Sequence, residues 1–210
     1  MTWILIVIIS YLLGSFPSGY LVAKSQGIDI RQHGSKNIGA TNVLRVMGKK
    51  WGYLVFFCDA FKGFLAVWLS MRLAPFGSIN STVAGVIAAI LCILGHNYTF
   101  WLGFRGGKGI ATSGGVILAL FPLIIVLIVA LAWVAVFYWS KYVSLASICA
   151  AISLPVSLAL LSPWIRVGNF WVLILFAILA SGLAVWRHRA NITRLMNGTE
   201  SRFGNKKSAS

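Results

Sequence analysis

The chain is dominated by long apolar stretches that short polar segments separate. They lie at residues 3–23, 51–73, 79–100, 113–139, 143–161 and 169–186. Each comes close to, or exceeds, the roughly 20 apolar residues that a helix needs to cross the hydrocarbon core of a bilayer. Charged residues make up 10% of the chain, whereas soluble domains carry roughly 25%. The sequence therefore excludes a soluble globular enzyme and predicts an all-α, polytopic integral membrane protein.

The basic residues that flank these stretches constrain the number of crossings. The polar segments 24–50 and 187–210 are both rich in Lys and Arg, and such loops stay in the cytoplasm. Six crossings would put the two segments on opposite sides, so an odd number is required. Pro122 should break the stretch 113–139 into helices 113–121 and 123–139, because proline interrupts the helical hydrogen bonds. We expect about seven helices, with the N-terminus outside and the C-terminus cytoplasmic; five crossings with a re-entrant segment is the alternative.

No repeat or linker divides the chain. We expect a single transmembrane domain over residues 1–198, followed by a polar C-terminal tail at 199–210. Cys58, Cys92 and Cys149 each lie alone inside an apolar stretch, which indicates a packing role.

Acidic residues are scarce. Asp29, Asp59 and Glu200 stand against 18 Lys and Arg, for a formal net charge of +15. Sites built from several carboxylates, such as two-metal clusters, cannot be assembled from three scattered acids, and we expect neither a metal nor a cofactor. Basic loops beside apolar stretches explain the charge without nucleic acid. Asp59 and Lys62, three residues apart in an apolar stretch, are expected to form a structural ion pair near the cytoplasmic end of their helix.

The first polar segment with residues suited to binding an anion is HGSKNIGATNVLR, at residues 33–45. We expect its helix to start near Ser35 or Asn37, with Thr41 and Arg45 four residues apart on one face. Backbone N–H groups at a helix start, together with a nearby Arg, make an anion site. An ordinary capped loop that touches lipid headgroups is the alternative.

The second segment is GHNYTFWLGFRGGKG, at residues 95–109. Its glycines allow backbone amides to approach a ligand closely, and Arg105 and Lys108 add charge for a phosphate. The segment departs from the P-loop pattern, because Leu102 replaces its first glycine and Gly109 replaces the Ser or Thr that holds Mg²⁺. The segment predicts a phosphate cradle without a metal ligand.

The third segment is RHRANITRLMNGTE, at residues 187–200. On one helix, His188 and Asn191 would share a face, and Arg187 and Arg194 would share another. Gly198 is a predicted helix stop. A basic cytoplasmic tail without a ligand is the alternative.

These three segments, in this order, resemble the signature motifs of the bacterial acyl-phosphate:glycerol-3-phosphate acyltransferases, the PlsY family. The likeness covers nearly the whole chain; Lys36 is a departure, at a position where glycine is common. The resemblance implies a seven-helix membrane enzyme that transfers a fatty acyl group from acyl phosphate to the 1-hydroxyl of sn-glycerol 3-phosphate. Its products are lysophosphatidic acid and phosphate, in phospholipid biosynthesis. The resemblance also implies a cytoplasmic-side active site in the bacterial inner membrane. We expect a monomer among membrane lipids.

The resemblance also assigns residues to the reaction. It gives acyl-phosphate binding mainly to Gly106, Gly107 and Lys108. The expected catalytic residues are Lys108, Arg45, His188, Asn191 and Ser147, the last preferred to Ser144. The expected substrate-binding residues are Ser35, Asn37, Thr41, His96, Asn97, Arg105, Gly106, Gly107, Gly109, Ser144, Arg187 and Glu200.

Acyl phosphate is a mixed anhydride with a good leaving group, so the reaction requires neither a metal nor a covalent nucleophile. The proton acceptor would be a substrate phosphate oxygen or His188. A transporter of phosphorylated anions is the rival function, and it should place charges at mid-membrane on broken helices. A phosphatidyl transferase of the CDP-alcohol type would need several aspartates, and a scaffold would leave the three motifs unexplained.

Overall fold

The structure of the chain is a computed structural model, and it describes residues 1–204. Over those residues the chain is helical and contains no strand, which confirms the predicted all-α class. Residues 205–210, the end of the expected tail, lie outside the described residues. The chain forms two compact units, Met1–Phe121 and Pro122–Ser210.

Six helices make up the first unit. They are α1 (Thr2–Ser15), α2 (Ser18–Lys24), α3 (Ala40–Met47), α4 (Lys49–Leu73), α5 (Ser81–Asn97) and α6 (Ile110–Leu120). Three short 3-10 segments, Ile30–Gln32, Ala74–Gly77 and Phe100–Leu102, lie in the connections. Phe16 and Pro17 separate α1 from α2, because proline has no N–H to continue the helix.

The long helix α4 is the centre of the first unit. It packs against α1, α3, α5 and α6, and α1 also packs against α5. Glycines set the closest approaches: Gly14 lies against the backbone of Cys92, and Gly115 lies against the backbone of Ala60. A Cβ on either glycine would overlap those backbone atoms. Small residues of this kind let helices in a membrane approach closely enough for good van der Waals packing.

The second unit contains four helices within the described residues. They are α7 (Leu123–Ser140), α8 (Val143–Leu161), α9 (Phe170–Arg187) and α10 (Arg189–Met196). Helix α8 packs against both α7 and α9, and the short α10 contacts α8 and α9. Because α6 ends at Leu120 and α7 begins at Leu123, the predicted break at Pro122 is confirmed.

Six segments in the described part of the chain are long and apolar enough to cross a membrane. They are Thr2–Lys24, Lys49–Gly77, Ser81–Leu102, Leu123–Ser140, Val143–Leu161 and Phe170–Arg187. Helix α6 is also apolar, but its 11 residues span only ~16 Å, against the roughly 30 Å of a hydrocarbon core. These lengths and compositions support the predicted multi-pass membrane character.

Candidate active site

The loop before α3 differs from the prediction. The helix begins at Ala40, so the expectation of a start near Ser35 or Asn37 was wrong. Gly34 and Lys36 have φ values of 59° and 58°, in the left-handed region, which a right-handed helix cannot include. Gly39, the residue before the helix, is extended. The polar residues 33–39 therefore form a loop with its own conformation.

Asn42 organises this loop, and the sequence analysis did not single it out. Its side chain is buried, with 2% of its surface exposed. The Oδ1 atom accepts a hydrogen bond of 2.8 Å from the Ser35 N–H. The Nδ2 group donates to the carbonyls of His33 and Asn37, at 3.0 and 2.8 Å. An amide provides both donors and an acceptor, which is how a single side chain holds both ends of a five-residue turn.

The predicted binding residues of the first segment differ in their surroundings. Ser35, Thr41 and Arg45 have exposed side chains. Thr41 and Arg45 both lie on α3, four residues apart, so the prediction that they share a helical face is confirmed. The Asn37 Oδ1 atom instead accepts a hydrogen bond of 2.9 Å from the Gly39 N–H. Among its predicted binding residues, the segment thus presents one guanidinium and two hydroxyls.

The second segment turns back along the end of α5. The Gly106 N–H donates to the Asn97 carbonyl at 3.1 Å, and the Gly107 N–H donates to the His96 carbonyl at 3.0 Å. Both carbonyls belong to the last turn of α5, where helical carbonyls lack partners in their own helix. The expectation was that such amides approach a ligand; these two hydrogen-bond to α5.

The two glycines are needed because α5 lies so close to them. A Cβ on Gly107 would overlap the imidazole of His96, and one on Gly106 would overlap the His96 carbonyl. Gly109 precedes α6 with φ of 82°, a value that favours glycine. Lys108 therefore lies at the amino end of α6, where the helix dipole attracts anions. The Arg105 side chain is exposed.

Asn97 is fully buried within the first unit. A Cβ on Gly109 would lie 2.9 Å from its Oδ1 atom. Neither polar atom of the Asn97 amide has a hydrogen-bond partner among residues 1–204.

The two segments of the first unit share an apolar core. Ile30, Ile38 and Val43 from the first segment and its approach are buried together with Val55 of α4, and Leu102 of the second segment packs against them. The binding residues predicted in these two segments thus lie on stretches of chain that one hydrophobic cluster holds side by side.

A buried ionic cluster lies in the same unit. Lys62 Nζ is 2.8 Å from Asp59 Oδ1, which confirms the predicted ion pair, although the pair lies near the middle of the 25-residue α4 rather than near its end. Ser18 donates to the same carboxylate oxygen at 2.6 Å, and Lys62 donates to the Phe16 carbonyl at 2.8 Å. His96 Nδ1 lies 3.5 Å from Asp59 Oδ1.

The second unit brings together three of the predicted site residues, Ser144, Asn191 and Glu200. The Glu200 Oε1 atom accepts hydrogen bonds from Ser144 Oγ at 2.7 Å and from Asn191 Nδ2 at 2.6 Å. Its Oε2 atom lies 2.7 Å from Arg194 Nε. Burial opposes ionisation of this carboxyl, but the three hydrogen bonds together hold its pKa below the usual value. The cluster ties α8 to α10 and to the residues after it.

Ser147 has different partners from Ser144. Its Oγ donates to the Val143 carbonyl at 2.8 Å, within its own helix, and accepts from Trp133 Nε1 at 3.2 Å. Ser144 is therefore the serine of the Glu200 cluster, and the preference for Ser147 as the catalytic serine stays a prediction.

His188 lies between two helices. Helix α9 ends at Arg187 and α10 begins at Arg189, so the prediction that Arg187 and Arg194 share a face of one helix was wrong. His188 is 3% exposed, and its Nδ1 atom lies 2.8 Å from the Ala184 carbonyl. A carbonyl only accepts, so Nδ1 carries a proton and the lone pair of the neutral ring is on Nε2. Gly198, with φ of 67°, follows the end of α10 as predicted.

In the described part of the chain, no three His, Cys, Asp or Glu side chains come together as a metal site would require.

Comparisons with known proteins identify the relatives of this arrangement. A family model described as glycerol-3-phosphate acyltransferase matches residues 4–198. A glycerol-3-phosphate acyltransferase of Aquifex aeolicus is 44% identical over 94% of this chain and 97% of its own. One from Desulforamulus reducens is 45% identical over 98% of both chains.

Solved structures agree with the sequence relatives. A crystal structure of PlsY (YgiH), an integral membrane glycerol 3-phosphate acyltransferase, in its glycerol 3-phosphate form, superposes with a TM-score of 0.87 at 41% identity, over 97% of this chain and 96% of that one. Its lysophosphatidic acid form gives a TM-score of 0.84 over the same shares. The chain therefore belongs to the glycerol-3-phosphate acyltransferase family.

Proposed function

We propose that this chain transfers a fatty acyl group from acyl phosphate to the 1-hydroxyl of sn-glycerol 3-phosphate. The products are lysophosphatidic acid and inorganic phosphate, in phospholipid biosynthesis. Family membership supports the acceptor, since the related PlsY has glycerol 3-phosphate and lysophosphatidic acid forms. The observation that carries the proposal is the pair of anion-suited segments, 33–45 and 95–109, that one apolar core holds side by side.

Both substrates carry a phosphate, and the first unit offers a separate cation for each. Lys108, at the amino end of α6, is assigned to the acyl phosphate, because a helix start and an ammonium both favour an anion. Arg45 is assigned to glycerol 3-phosphate, together with the exposed hydroxyls of Ser35 and Thr41. A guanidinium suits this role because it can bind two phosphate oxygens at once.

The reaction proceeds by direct attack. The 1-hydroxyl of glycerol 3-phosphate adds to the carbonyl carbon of acyl phosphate, and the tetrahedral intermediate expels phosphate. Fixed cations and N–H donors can stabilise both the oxyanion and the departing phosphate. The proton acceptor is a phosphate oxygen of the substrate or His188 Nε2, whose lone pair is oriented by the hydrogen bond from Nδ1 to Ala184. Full turnover in a His188→Ala variant would favour the phosphate.

The second unit supplies further residues that the proposal assigns to catalysis or to substrate binding. Asn191 and Ser147 are assigned to catalysis, and Ser144, Arg187 and Glu200 to substrate binding. The Glu200 cluster supports an amendment in which Ser144 is the functional serine. We expect Ser144→Ala to lower kcat/KM more than Ser147→Ala does; the reverse order would restore the assignment to Ser147.

The proposal includes a placement in the membrane. Residues 1–198 act as one transmembrane acyltransferase domain in the bacterial inner membrane, with 199–210 as a polar tail. The protein is a monomer surrounded by lipid and crosses the bilayer seven times. The crossings include α6, because the basic segments require an odd number, although its 11 residues are fewer than a full span needs. The basic segments 24–50 and 187–210 support a cytoplasmic active site with the N-terminus outside.

The decisive experiment is turnover of the purified protein with palmitoyl phosphate and glycerol 3-phosphate in the presence of EDTA. We expect lysophosphatidic acid and phosphate to appear in equal amounts. Activity that returns only with Mg²⁺ would retain the reaction but contradict its metal-free chemistry. If folded protein forms no product under either condition, the proposal fails and a transporter of phosphorylated anions becomes the better reading.

The phosphate assignments are tested by removing single cations. Lys108→Ala and Arg45→Ala should each abolish turnover and leave a folded, detergent-stable protein. Arg72→Ala is the matched control, because Arg72 lies in the last turn of α4 with its guanidinium over the Trp68 ring; it should retain turnover. Normal turnover in both site variants would contradict the assignments.

A further inference from the structure

The proposed chemistry leaves one charged cluster unused. The side chains of Asp59 and Lys62 are 2% and 7% exposed, in the interior of the first unit. Charges in the interior of a membrane helix are costly and are rarely retained without a function or a partner. Each charge here has partners, since the carboxylate takes the Lys62 ammonium and the Ser18 hydroxyl. A buried ion pair alone is weak evidence for stability, because an apolar pair often serves as well.

The cluster is directed at one further side chain, His96. Its Nδ1 atom is 3.5 Å from Asp59 Oδ1, and the imidazole is 5% exposed. That distance is too long for a strong hydrogen bond, but in a buried site the electrostatic attraction between a carboxylate and an N–H dipole or imidazolium is large. Asp59 therefore favours the ring orientation in which Nδ1 faces α4.

The opposite edge of the same ring faces the glycine-rich segment. The Nε2 atom of His96 occupies the space that a Cβ on Gly107 would need. The His96 carbonyl accepts the Gly107 N–H, and the neighbouring Asn97 carbonyl accepts the Gly106 N–H. The ring and the backbone of His96 thus form the surface on which residues 106 and 107 lie, immediately before Lys108.

Asp59 is itself held from a second direction. Ser18, which donates to its carboxylate, is the first residue of α2. Lys62 donates to the Phe16 carbonyl, which lies in the break between α1 and α2. The carboxylate is thus fixed by groups on two sides, and a fixed carboxylate is what allows it to orient a neighbouring ring.

We propose that Asp59 is a positioning residue for the segment 106–109, acting through the imidazole of His96. This inference rests on the proposed function, in which that segment binds the acyl phosphate. Asp59 touches neither substrate; it sets the ring against which Gly107 packs and so the place of Lys108.

The kinetic test uses a variant without a net change of buried charge. Asp59→Asn alone leaves Lys62 unpaired and is expected to fold poorly, so the test variant is the double change Asp59→Asn with Lys62→Met. We expect its KM for palmitoyl phosphate to rise at least tenfold, with its KM for glycerol 3-phosphate within twofold of the wild type. Unchanged KM values for both substrates in the folded double variant would overturn the proposal. An equal rise in both KM values would also overturn it.

A matched control removes another buried polar pair that involves α4, this one between α4 and α1. Ser10 and Ser70, on α1 and α4, have Oγ atoms 3.3 Å apart and are both buried. The double change Ser10→Ala with Ser70→Ala should leave both KM values as in the wild type. If it raises the KM for palmitoyl phosphate as much as the test variant does, general loosening of α1 and α4 is the cause and the proposal fails.

Hydrogen exchange gives a readout that does not need turnover. In the Asp59→Asn, Lys62→Met variant, the amides of Gly106 and Gly107 should exchange at least tenfold faster than in the wild type, while the amides of α3 keep their rates. If the variant shows this faster exchange but the wild type has no turnover, the proposed function is refuted and the positioning role is supported. If the wild type turns over but the two glycines of the variant exchange at the wild-type rate, the positioning role alone is refuted.

Discussion

Lys36 occupies a backbone conformation that a side chain disfavours. Its φ is 58°, in the left-handed region, where residues with a Cβ are destabilised by about 1–2 kcal/mol. The residue follows Gly34, which also has positive φ, and its side chain is exposed. The loop geometry, rather than any contact of the ammonium, therefore explains why a glycine suits this position in the motif that the chain resembles.

The change Lys36→Gly is expected to stabilise the protein. Relief of the left-handed strain outweighs the greater freedom of glycine in the unfolded chain, for a net gain of about 1 kcal/mol. The measurement is the thermal unfolding midpoint in detergent, which should rise by roughly 2–4 °C. Ser78→Gly, at another position with positive φ (53°), should act in the same direction. Lys36→Ala keeps the Cβ and should leave the midpoint unchanged; a fall with Lys36→Gly would contradict the strain.

The space around the glycines gives a second expectation for single residues. In Gly107→Ala the new methyl group meets the His96 ring, and overpacking of this kind costs about 1–3 kcal/mol. Displacement of Lys108 should lower kcat/KM at least tenfold. Gly114→Ala is the control, since a Cβ there meets nothing within 4 Å, and its kcat/KM should equal that of the wild type. Equal kinetics for the two variants would show that the contact with His96 does not matter.

At the scale of elements, Glu200 connects helices that are far apart in sequence. Its carboxylate bonds to Ser144 in α8 and to Asn191 and Arg194 in α10. The backbone beyond it is also held, since the Phe203 N–H donates to the Lys141 carbonyl at 2.8 Å. One carboxylate thus positions α10 and, on it, Asn191, which the proposed function assigns to catalysis.

This contact should make stability depend on pH. The folded pKa of Glu200 is lowered from 4.5, so its contribution is complete above pH 4.5 and is lost as the pH falls through the folded pKa. Between pH 6 and 3 the thermal midpoint of the wild type should fall, and that of Glu200→Gln should fall less. Asp29→Asn is the control. The Arg31 side chain holds the pKa of Asp29 at about 2, so the contribution of Asp29 to stability is lost mainly below its ordinary pKa of 3.8. From pH 6 to 4 the profile of Asp29→Asn should therefore follow that of the wild type. Identical pH profiles for the wild type and Glu200→Gln would show that the Glu200 carboxylate does not contribute to stability.

At the scale of the whole molecule, the proposed orientation in the membrane rests on charge. The chain has 18 basic and three acidic residues, and the proposed seven crossings would place the basic segments 24–50 and 187–210 together in the cytoplasm, which would make that side strongly positive. The same positive field would attract two anionic substrates to that side. The short α6 decides the number of membrane crossings, because every loop after it lies on the opposite side of the membrane if α6 does not cross.

The accessibility of single introduced cysteines tests the number of membrane crossings. In a cysteine-free background, Ser78→Cys and Asn169→Cys should react with a membrane-impermeant maleimide in intact cells. Gln26→Cys should react only after permeabilisation. Protection of Asn169→Cys in intact cells, together with labelling of Ser78→Cys, would mean that α6 does not cross.

Local physical rules account for the parts of the structure that the sequence predicted. The break at Pro122 follows from a missing N–H, the Asp59–Lys62 pair follows from spacing, and the shared face of Thr41 and Arg45 follows from helical geometry. These features need only the residues nearby in sequence.

The features that were missed depend on distant partners. The Asn42 side chain is buried where four backbone groups, of Ile30, His33, Ser35 and Asn37, hydrogen-bond to it. Helix α3 starts later than predicted because the loop before it contains two residues with positive φ. The surroundings of Ser144 and Ser147 differ through the contact of Ser144 with Glu200, 56 residues away in the sequence, and the sequence pattern of one helix does not show that contact. An Asn in a glycine-rich segment at a helix start was the one available signal for Asn42.

The packing of Gly106 and Gly107 against α5 has a consequence for inhibitor design. Resistance usually arises when a target changes a residue that the drug touches and still works. Neither glycine has room for even a methyl group, so every amino acid that replaces it disturbs the end of α5. A compound that gains its affinity from the backbone of these two residues would therefore bind where the target has few viable escape mutations.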